Sequence, residues 1–410
     1  MEAAPDIDQN AQPQPRRFLL SALGEPGHAF PIIALGRALH NRGHAVAIHT
    51  WDRWREPIEA EGLTFVKAPV FQPQAAATAP VGIHEAGVRA AQEIFDDIDS
   101  FAPDIIVGDV LTIGATLAAE VRGIPFATLI PHLYHVTGPE EPMFGSGFAP
   151  PATIIGRTFA RRFNKGVGWM FAQGRIDMNA ARAEVGLAPI DRDHGGLSTE
   201  LVLVGSFPQL EPQRDLPAHV KIVGPLQWEP PVEQIEIPEG DDPLVVIAPS
   251  TSQDPYHSLL DASLRGLANK PLRVLASLNG RPPANPLKTA KNIHVVDWLP
   301  YSQAFPLADV VICHGGYGTM VRSLAAGAAT IICPINGDQF ENAARLRWAH
   351  AGVAVPAKFC KPRTLALAVE KALASEQIRA NSEAISRWSR ANDGAAKAAR
   401  ELEAFAARVC

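Results

Sequence analysis

The chain has 410 residues, of which 47% are hydrophobic and 20% charged, with a formal net charge of −6. That length holds two domains of ordinary size, and that composition is globular, not disordered. No basic stripe is visible, which argues against nucleic acid as a partner, and no uninterrupted apolar run reaches the length of a bilayer span.

Met1 to Pro15 is acidic and rich in Gln, Pro and Ala. It lacks the basic and apolar segments of a signal peptide and reads as a disordered tail. Residues 16–224 read as a first doubly wound unit. Phe18–Leu23 is its opening strand, Gly24-Glu25-Pro26-Gly27-His28 a turn, and Pro31–His40 a helix. Strands at Ala45–His49, Leu63–Ala68, Ile105–Val107 and Pro125–Ile130 follow, with Gly108-Asp109 closing the fourth. His28 and Asp109 thus fall at the carboxyl edge of a parallel sheet, where open α/β folds bind ligands. Residues 131–175 change character. Five prolines interrupt many aromatic and small residues, Phe144 and Phe148 among them. The stretch reads as a pocket wall or as a loop packed over the sheet. Arg161-Arg162 with Lys165 reads as a solvated helix face.

Gly224-Pro225, Pro230-Pro231 and the acidic run after them mark a linker over 225–242. A second unit spans 243–375. Its strands are expected at Leu244–Ala248, Leu272–Ala276, Ile293–Val296, Val310–Cys313, Thr330–Cys333 and Val353–Val355. Residues 376–410 are rich in Ala, Glu and Arg and read as helices. The four cysteines, at 313, 333, 360 and 410, lack metal-ligand spacing and look like reduced residues of a cytoplasmic protein.

The most informative stretch begins at Val310–Cys313, a short β-branched run typical of a buried parallel strand. It ends in His314-Gly315-Gly316-Tyr317-Gly318-Thr319, and a helical pattern follows. A glycine turn that opens a helix presents free N–H groups and the positive end of the helix dipole, which suits a phosphate. A second strand then delivers Asp338 and Gln339 to the same sheet edge, where their acceptors suit sugar hydroxyls.

Asp297-Trp298-Leu299-Pro300, His314 to Thr319, Ala326-Gly327, Pro334, Asp338-Gln339 and Asn342-Ala343 together resemble the donor signature of family 1 glycosyltransferases of the GT-B fold, in particular their bacterial natural-product branch. The resemblance implies two Rossmann-like domains facing across a cleft. The first would take the acceptor and the second a nucleotide sugar, with the last helix crossing back. It implies that His28, in a Gly-His turn after the first strand, is the catalytic base, and that Asp109 orients it. The plainer reading of each is a helix cap. It also implies that Ser250, Thr251, His314 and the N–H groups of Gly316 to Thr319 hold the donor. Tyr317 and Gly318 lie within that cradle, Trp298 would stack on the base, and Asp338 and Gln339 would bind the sugar. His132, Phe144 and Phe148 are candidates for the acceptor wall. No metal and no cofactor is expected beyond the nucleotide sugar, with UDP-glucose favoured and a dTDP-sugar as the other choice.

Three positions depart from the pattern: Arg322 stands where a ribose-binding Glu is usual, Tyr301 where a Gln is common, and Ala248-Pro249-Ser250-Thr251 replaces a Gly-Ser form. The expected activity is metal-independent, inverting transfer of a hexose to a hydroxyl, or an aromatic carbon, of a lipophilic small molecule. The rivals are a nucleotide-binding accessory protein and a nucleotide-sugar 2-epimerase. A monomer or a homodimer is expected, with no membrane span.

Overall fold

The computed structural model describes residues 14–70, 82–250, 254, 256–283, 287 and 289–410. Thirteen strands form two sheets. In the first half they are β1 (Arg17–Ser21), β2 (Ala45–Thr50), β3 (Thr64–Lys67), β4 (Ile105–Asp109), β5 (Phe126–Ile130), β6 (Val202–Val204) and β7 (Val220–Ile222). In the second half they are β8 (Leu244–Ala248), β9 (Arg273–Ser277), β10 (Ile293–Val296), β11 (Val310–Cys313), β12 (Ala329–Ile332) and β13 (Gly352–Ala354). The orders are β3-β2-β1-β4-β5-β6-β7 and β10-β9-β8-β11-β12-β13. Every pairing is parallel. These are two Rossmann-like α/β units, the GT-B arrangement expected of the sequence.

Parallel strands lie between helix layers, so both of their faces must be apolar. β8 and β11 obey this at every position and are fully buried. In each sheet the strand order reverses beside the first strand of its unit. The reversal lies between β1 and β4 in one sheet and between β8 and β11 in the other. Loops leaving the two strands diverge there and open a crevice. Both crevices contribute to the site described below.

Two regions differ from expectation. The helix after β1 runs from Pro26 to His40, so His28 sits in its first turn and not in a preceding loop. Pro26 at the first position has the backbone angle that a helix start needs. Of residues 131–175, the part from 131 to 153 is irregular, as expected, but the remainder is helical. Helices span Ile154–Val167 and Trp169–Glu184, the first capped by Thr153, whose hydroxyl accepts from the Gly156 N–H.

The chain also returns to its beginning. Helix Gly394–Val409 buries Ala398, Leu402 and Phe405 in the core of the first unit, against helix Pro26–His40. Burial of Leu402 and Phe405 alone stabilises that return by roughly 3–6 kcal/mol. Glu403 accepts hydrogen bonds from Arg42 Nε at 2.6 Å and Nη2 at 2.7 Å, and pairs with His44 Nε2 at 2.9 Å. Trp228, just past Gly224-Pro225, is buried in the same core. The segment expected as a plain linker is therefore docked at its start.

Candidate active site

A cavity of about 810 Å³ lies between the two carboxyl edges. His28 enters from the first unit. Its Nδ1 lies 3.0 and 2.9 Å from the two oxygens of Asp109, at the end of β4. A carboxylate only accepts, so Nδ1 carries the proton and Nε2 keeps a lone pair. Asp109 is fully buried, and its Oδ1 also accepts from the Leu111 N–H at 2.9 Å. Thr112 steadies the loop by donating from its hydroxyl to the carbonyls of Ser21 and Asp109. Burial opposes a charge on His28, but the charge and hydrogen bond of Asp109, aided by Asp338 and Glu25, outweigh it. The His28 pKa therefore lies above its ordinary value.

The second unit supplies the opposite wall. β11 ends at Cys313, and the chain turns through Gly315, whose φ is +90°. Helix Tyr317–Ala326 then starts at Gly316 with no side-chain cap. A Cβ on Gly316 would lie 2.6 Å from His314 Nε2, so only glycine lets the imidazole stand there. His314 is held neutral by burial, with its pKa lowered to about 4. His314, Gly316, Tyr317, Gly318 and Thr319 all line the cavity. The arrangement is an uncapped helix N-terminus flanked by a neutral imidazole, which suits an anion.

Asp338 and Gln339 line the cavity from the turn after β12. Gln339 is buried, and its Oε1 accepts from the Ile335 and Asn336 N–H groups, so it shapes the turn. Asp338 is the more open of the two, and its Oδ2 accepts from Asn342 Nδ2 at 3.1 Å. Trp298 is 41% exposed at the cavity edge, not a core residue. Ser250 is buried beside the cavity and is absent from its lining, which includes Pro249. Thr251 lies outside the described residues. Among the described residues, no group of three His, Cys, Asp or Glu is arranged to hold a metal ion.

Known proteins share this architecture. Residues 273–405 match the family model for the C-terminal domain of erythromycin biosynthesis protein CIII-like proteins. The chain is 25% identical to 4'-demethylrebeccamycin synthase of Lentzea aerocolonigenes, over 88% of this chain and 93% of that protein. It is 30% identical to a PGL/p-HBAD biosynthesis rhamnosyltransferase of Mycobacterium bovis (strain BCG / Pasteur 1173P2), over 69% of this chain and 63% of that protein. The glycosyltransferase of kitacinnamycin superposes with a TM-score of 0.75 at 20% identity, covering 96% of this chain and all of that one. Glycosyltransferase VinC, solved in complex with dTDP, gives 0.68 at 19% identity, covering 96% of this chain and all of that one. The chain is a GT-B glycosyltransferase of the natural-product type.

The wall of the first unit differs in part from the sequence reading. His132 lines the cavity of this glycosyltransferase, and its Nδ1–H donates to the Leu133 carbonyl at 2.8 Å. Burial lowers its pKa, and the neighbouring His28 lowers it further. Phe144 stacks on His132 at 5.6 Å but does not reach the cavity. Phe148 does not line it either and packs edge-on against Phe159 and Phe163. Phe148 is held instead in an aromatic cluster with Phe159 and Phe163 of helix Ile154–Val167. The apolar lining instead includes Leu23, Phe30, Trp51, Ala86, Ala90 and Leu111. Helix Ile83–Glu93 reaches the cavity because Gly87 and Gly114 let it sit close to helix Ile113–Arg122. A Cβ on Gly114 would lie 2.6 Å from the Gly87 carbonyl oxygen.

The sequence reading also missed Glu229. This linker carboxylate lines the cavity beside Trp298 and Tyr301. It accepts from the Tyr301 and Ser302 N–H groups at 3.0 and 3.1 Å and from Arg322 Nη1 at 3.2 Å. Arg322 also donates to the Trp228 carbonyl and lies over the Phe30 ring. The only signal in the sequence was the Arg itself, out of place at position 322. Tyr317 was expected as part of the cradle. Its backbone is there, but its hydroxyl donates across the cleft to the Gly205 carbonyl at 3.0 Å.

Proposed function

We propose that this glycosyltransferase moves a hexose, with inversion and without a metal, to a hydroxyl of a lipophilic aromatic or polyketide-like small molecule. His28 Nε2 takes the hydroxyl proton. The freed oxygen attacks the anomeric carbon, and the bond from that carbon to the diphosphate oxygen breaks. Asp109 keeps Nδ1 protonated and stabilises the imidazolium as it forms. Negative charge collects on the departing diphosphate, where the N–H groups of Gly316 to Thr319 and His314 receive it. Trp298 stacks on the base and Asp338 binds the sugar. The single observation that carries this reading is that the His28–Asp109 pair and the uncapped helix at Tyr317 open into one cavity.

The donor is a UDP- or dTDP-hexose. One feature favours dTDP over the UDP-glucose expected from the sequence. Arg322 replaces the usual ribose-binding carboxylate, and the nearby Glu229 is already engaged by three donors. Thymidine lacks the 2′-hydroxyl that such a carboxylate would hold. VinC, a structural relative, was solved with dTDP.

The test is nucleotide release from UDP-glucose and dTDP-glucose, without added metal, over a panel of phenols and polyketides. Acceptor-dependent release that is lost in His28→Ala, with donor binding retained, is the expected result. Donor binding without turnover on any acceptor would move the protein to the accessory class. Turnover of donor without acceptor, yielding an epimer, would make it a 2-epimerase.

A further inference from the structure

The cavity does not account for the outer surface of helices Ile154–Val167 and Trp169–Glu184. Six large apolar residues stand out from it: Ile154, Ile155, Phe159, Trp169, Met170 and Ile176. Ile155 is 83% exposed and Trp169 67%. A monomer rarely leaves so many together in water. Ile155, Phe159 and Arg162 recur at helical spacing and share one face. Helix Ile154–Val167 carries Arg157, Arg161, Arg162 and Lys165 and no acidic residue, in a chain whose net charge is −6. Arg157 and Arg161 pair with Glu140. Among the described residues, Arg162 and Lys165 form no salt bridge.

We propose that this face docks on an anionic lipid surface. Apolar side chains interleaved with arginine and lysine on one exposed helix face fit the boundary between headgroups and acyl chains. The charge selects the occupant. A second copy packed through a two-fold axis would set this cationic face against itself, whereas anionic headgroups complement it. No helix among the described residues is long and apolar enough to cross a membrane, so the contact lies on the surface. The face is joined to the cavity wall. Asn164 accepts from the Met143 N–H at 3.0 Å and donates to the Glu141 carbonyl at 2.7 Å, clasping the loop that carries Phe144 against His132. A lipophilic acceptor could thus pass from the lipid toward the site. That last step rests on the acceptor proposed above, while the docking itself does not.

The experiment is co-sedimentation of the full chain with vesicles of phosphatidylcholine, with and without phosphatidylglycerol, at low and high salt. Wild type should partition onto the anionic vesicles roughly tenfold or more above the neutral ones, and salt should reduce this. Ile155→Asp with Trp169→Asp, and separately Arg162→Glu with Lys165→Glu, should each lower it by roughly tenfold or more. Binding of dTDP or UDP should be unchanged in both variants, which shows that they are folded. Equal partitioning onto both vesicle types, or partitioning that neither variant alters, would overturn the proposal. So would a dimer in light scattering that the variants split while wild type ignores vesicles, because the face would then belong to a second copy.

Discussion

At the scale of single residues, the His28–Asp109 pair makes opposite demands on activity and stability. His28 must be neutral to accept a proton, and its pKa is raised because Asp109 outweighs burial. The acid limb of kcat/KM should therefore fall above pH 6.5, with activity rising as pH climbs through it. The stability contribution has the other sign. A raised folded-state pKa stabilises fully below the unfolded value of about 6.5 and less as pH passes the folded value. The pair thus supports the fold most where the base is already protonated. Asp109→Asn should move the limb to lower pH and reduce kcat by roughly 10²–10⁴-fold. A pH profile of kcat/KM for wild type and variant tests both effects, and an unmoved limb would mean that another group titrates. The meeting of these two residues at one sheet edge was legible because Asp109 closes a strand and His28 opens the helix after the first strand, positions that sequence pattern locates well. The Arg322–Glu229 contact was not, because it joins a helix to a linker residue 93 positions away.

At the scale of elements, the turn from β11 into helix Tyr317–Ala326 depends on Gly316 for space and not for backbone freedom. Its φ of −58° suits any residue, but an added Cβ would meet His314 Nε2 at 2.6 Å. Gly316→Ala should push the imidazole out of the cradle and weaken donor binding by roughly tenfold or more, with little change in thermal stability. Calorimetric titration with dTDP and UDP reads the first, and a melting curve the second. If nucleotide affinity were unchanged, His314 would not contact the donor. Elements such as this one were readable because buried parallel strands are plain apolar runs. The helices from 154 to 184 were hidden for the converse reason. Most of their large apolar residues face outward, and of the apolar ones only Ala160, Met178 and Ala181 are buried, so no continuous buried stripe marks them. Five prolines between 131 and 151 also gave the stretch the look of a loop. The strongest exposed face of the molecule was thus the least legible part of the sequence.

At the scale of the whole molecule, buried polar groups hold the two halves together. Arg345, 2% exposed on helix Gln339–Trp348, bonds Glu341 at 2.8 Å and the Leu210 carbonyl at 3.1 Å, and faces Glu211 at 3.7 Å. Burial raises the pKa of both carboxyls, against the pull of Arg345. Arg345→Leu would leave two buried acids without their cation and should destabilise the fold by about 3–5 kcal/mol in urea denaturation. A loss below 1 kcal/mol would show that water reaches the pair. The return helix is held differently. Burial alone would raise the pKa of Glu403, but hydrogen bonds from Arg42 and His44 outweigh it and bring it below the ordinary value. A depressed carboxylate stabilises above its unfolded pKa, and that contribution is lost as pH falls through the folded value. Glu403→Gln keeps the shape and removes the charge, so at neutral pH it should lose roughly 1.5–3 kcal/mol, the range for hydrogen bonds to charged groups. The gap between wild type and variant should then narrow as pH drops below about 4.5, where the unfolded carboxylate protonates first. Urea curves at neutral and acidic pH decide the matter. A gap that stays constant would mean that Glu403 acts through packing alone, and that the C-terminal helix is held by Leu402 and Phe405 without help from its charge.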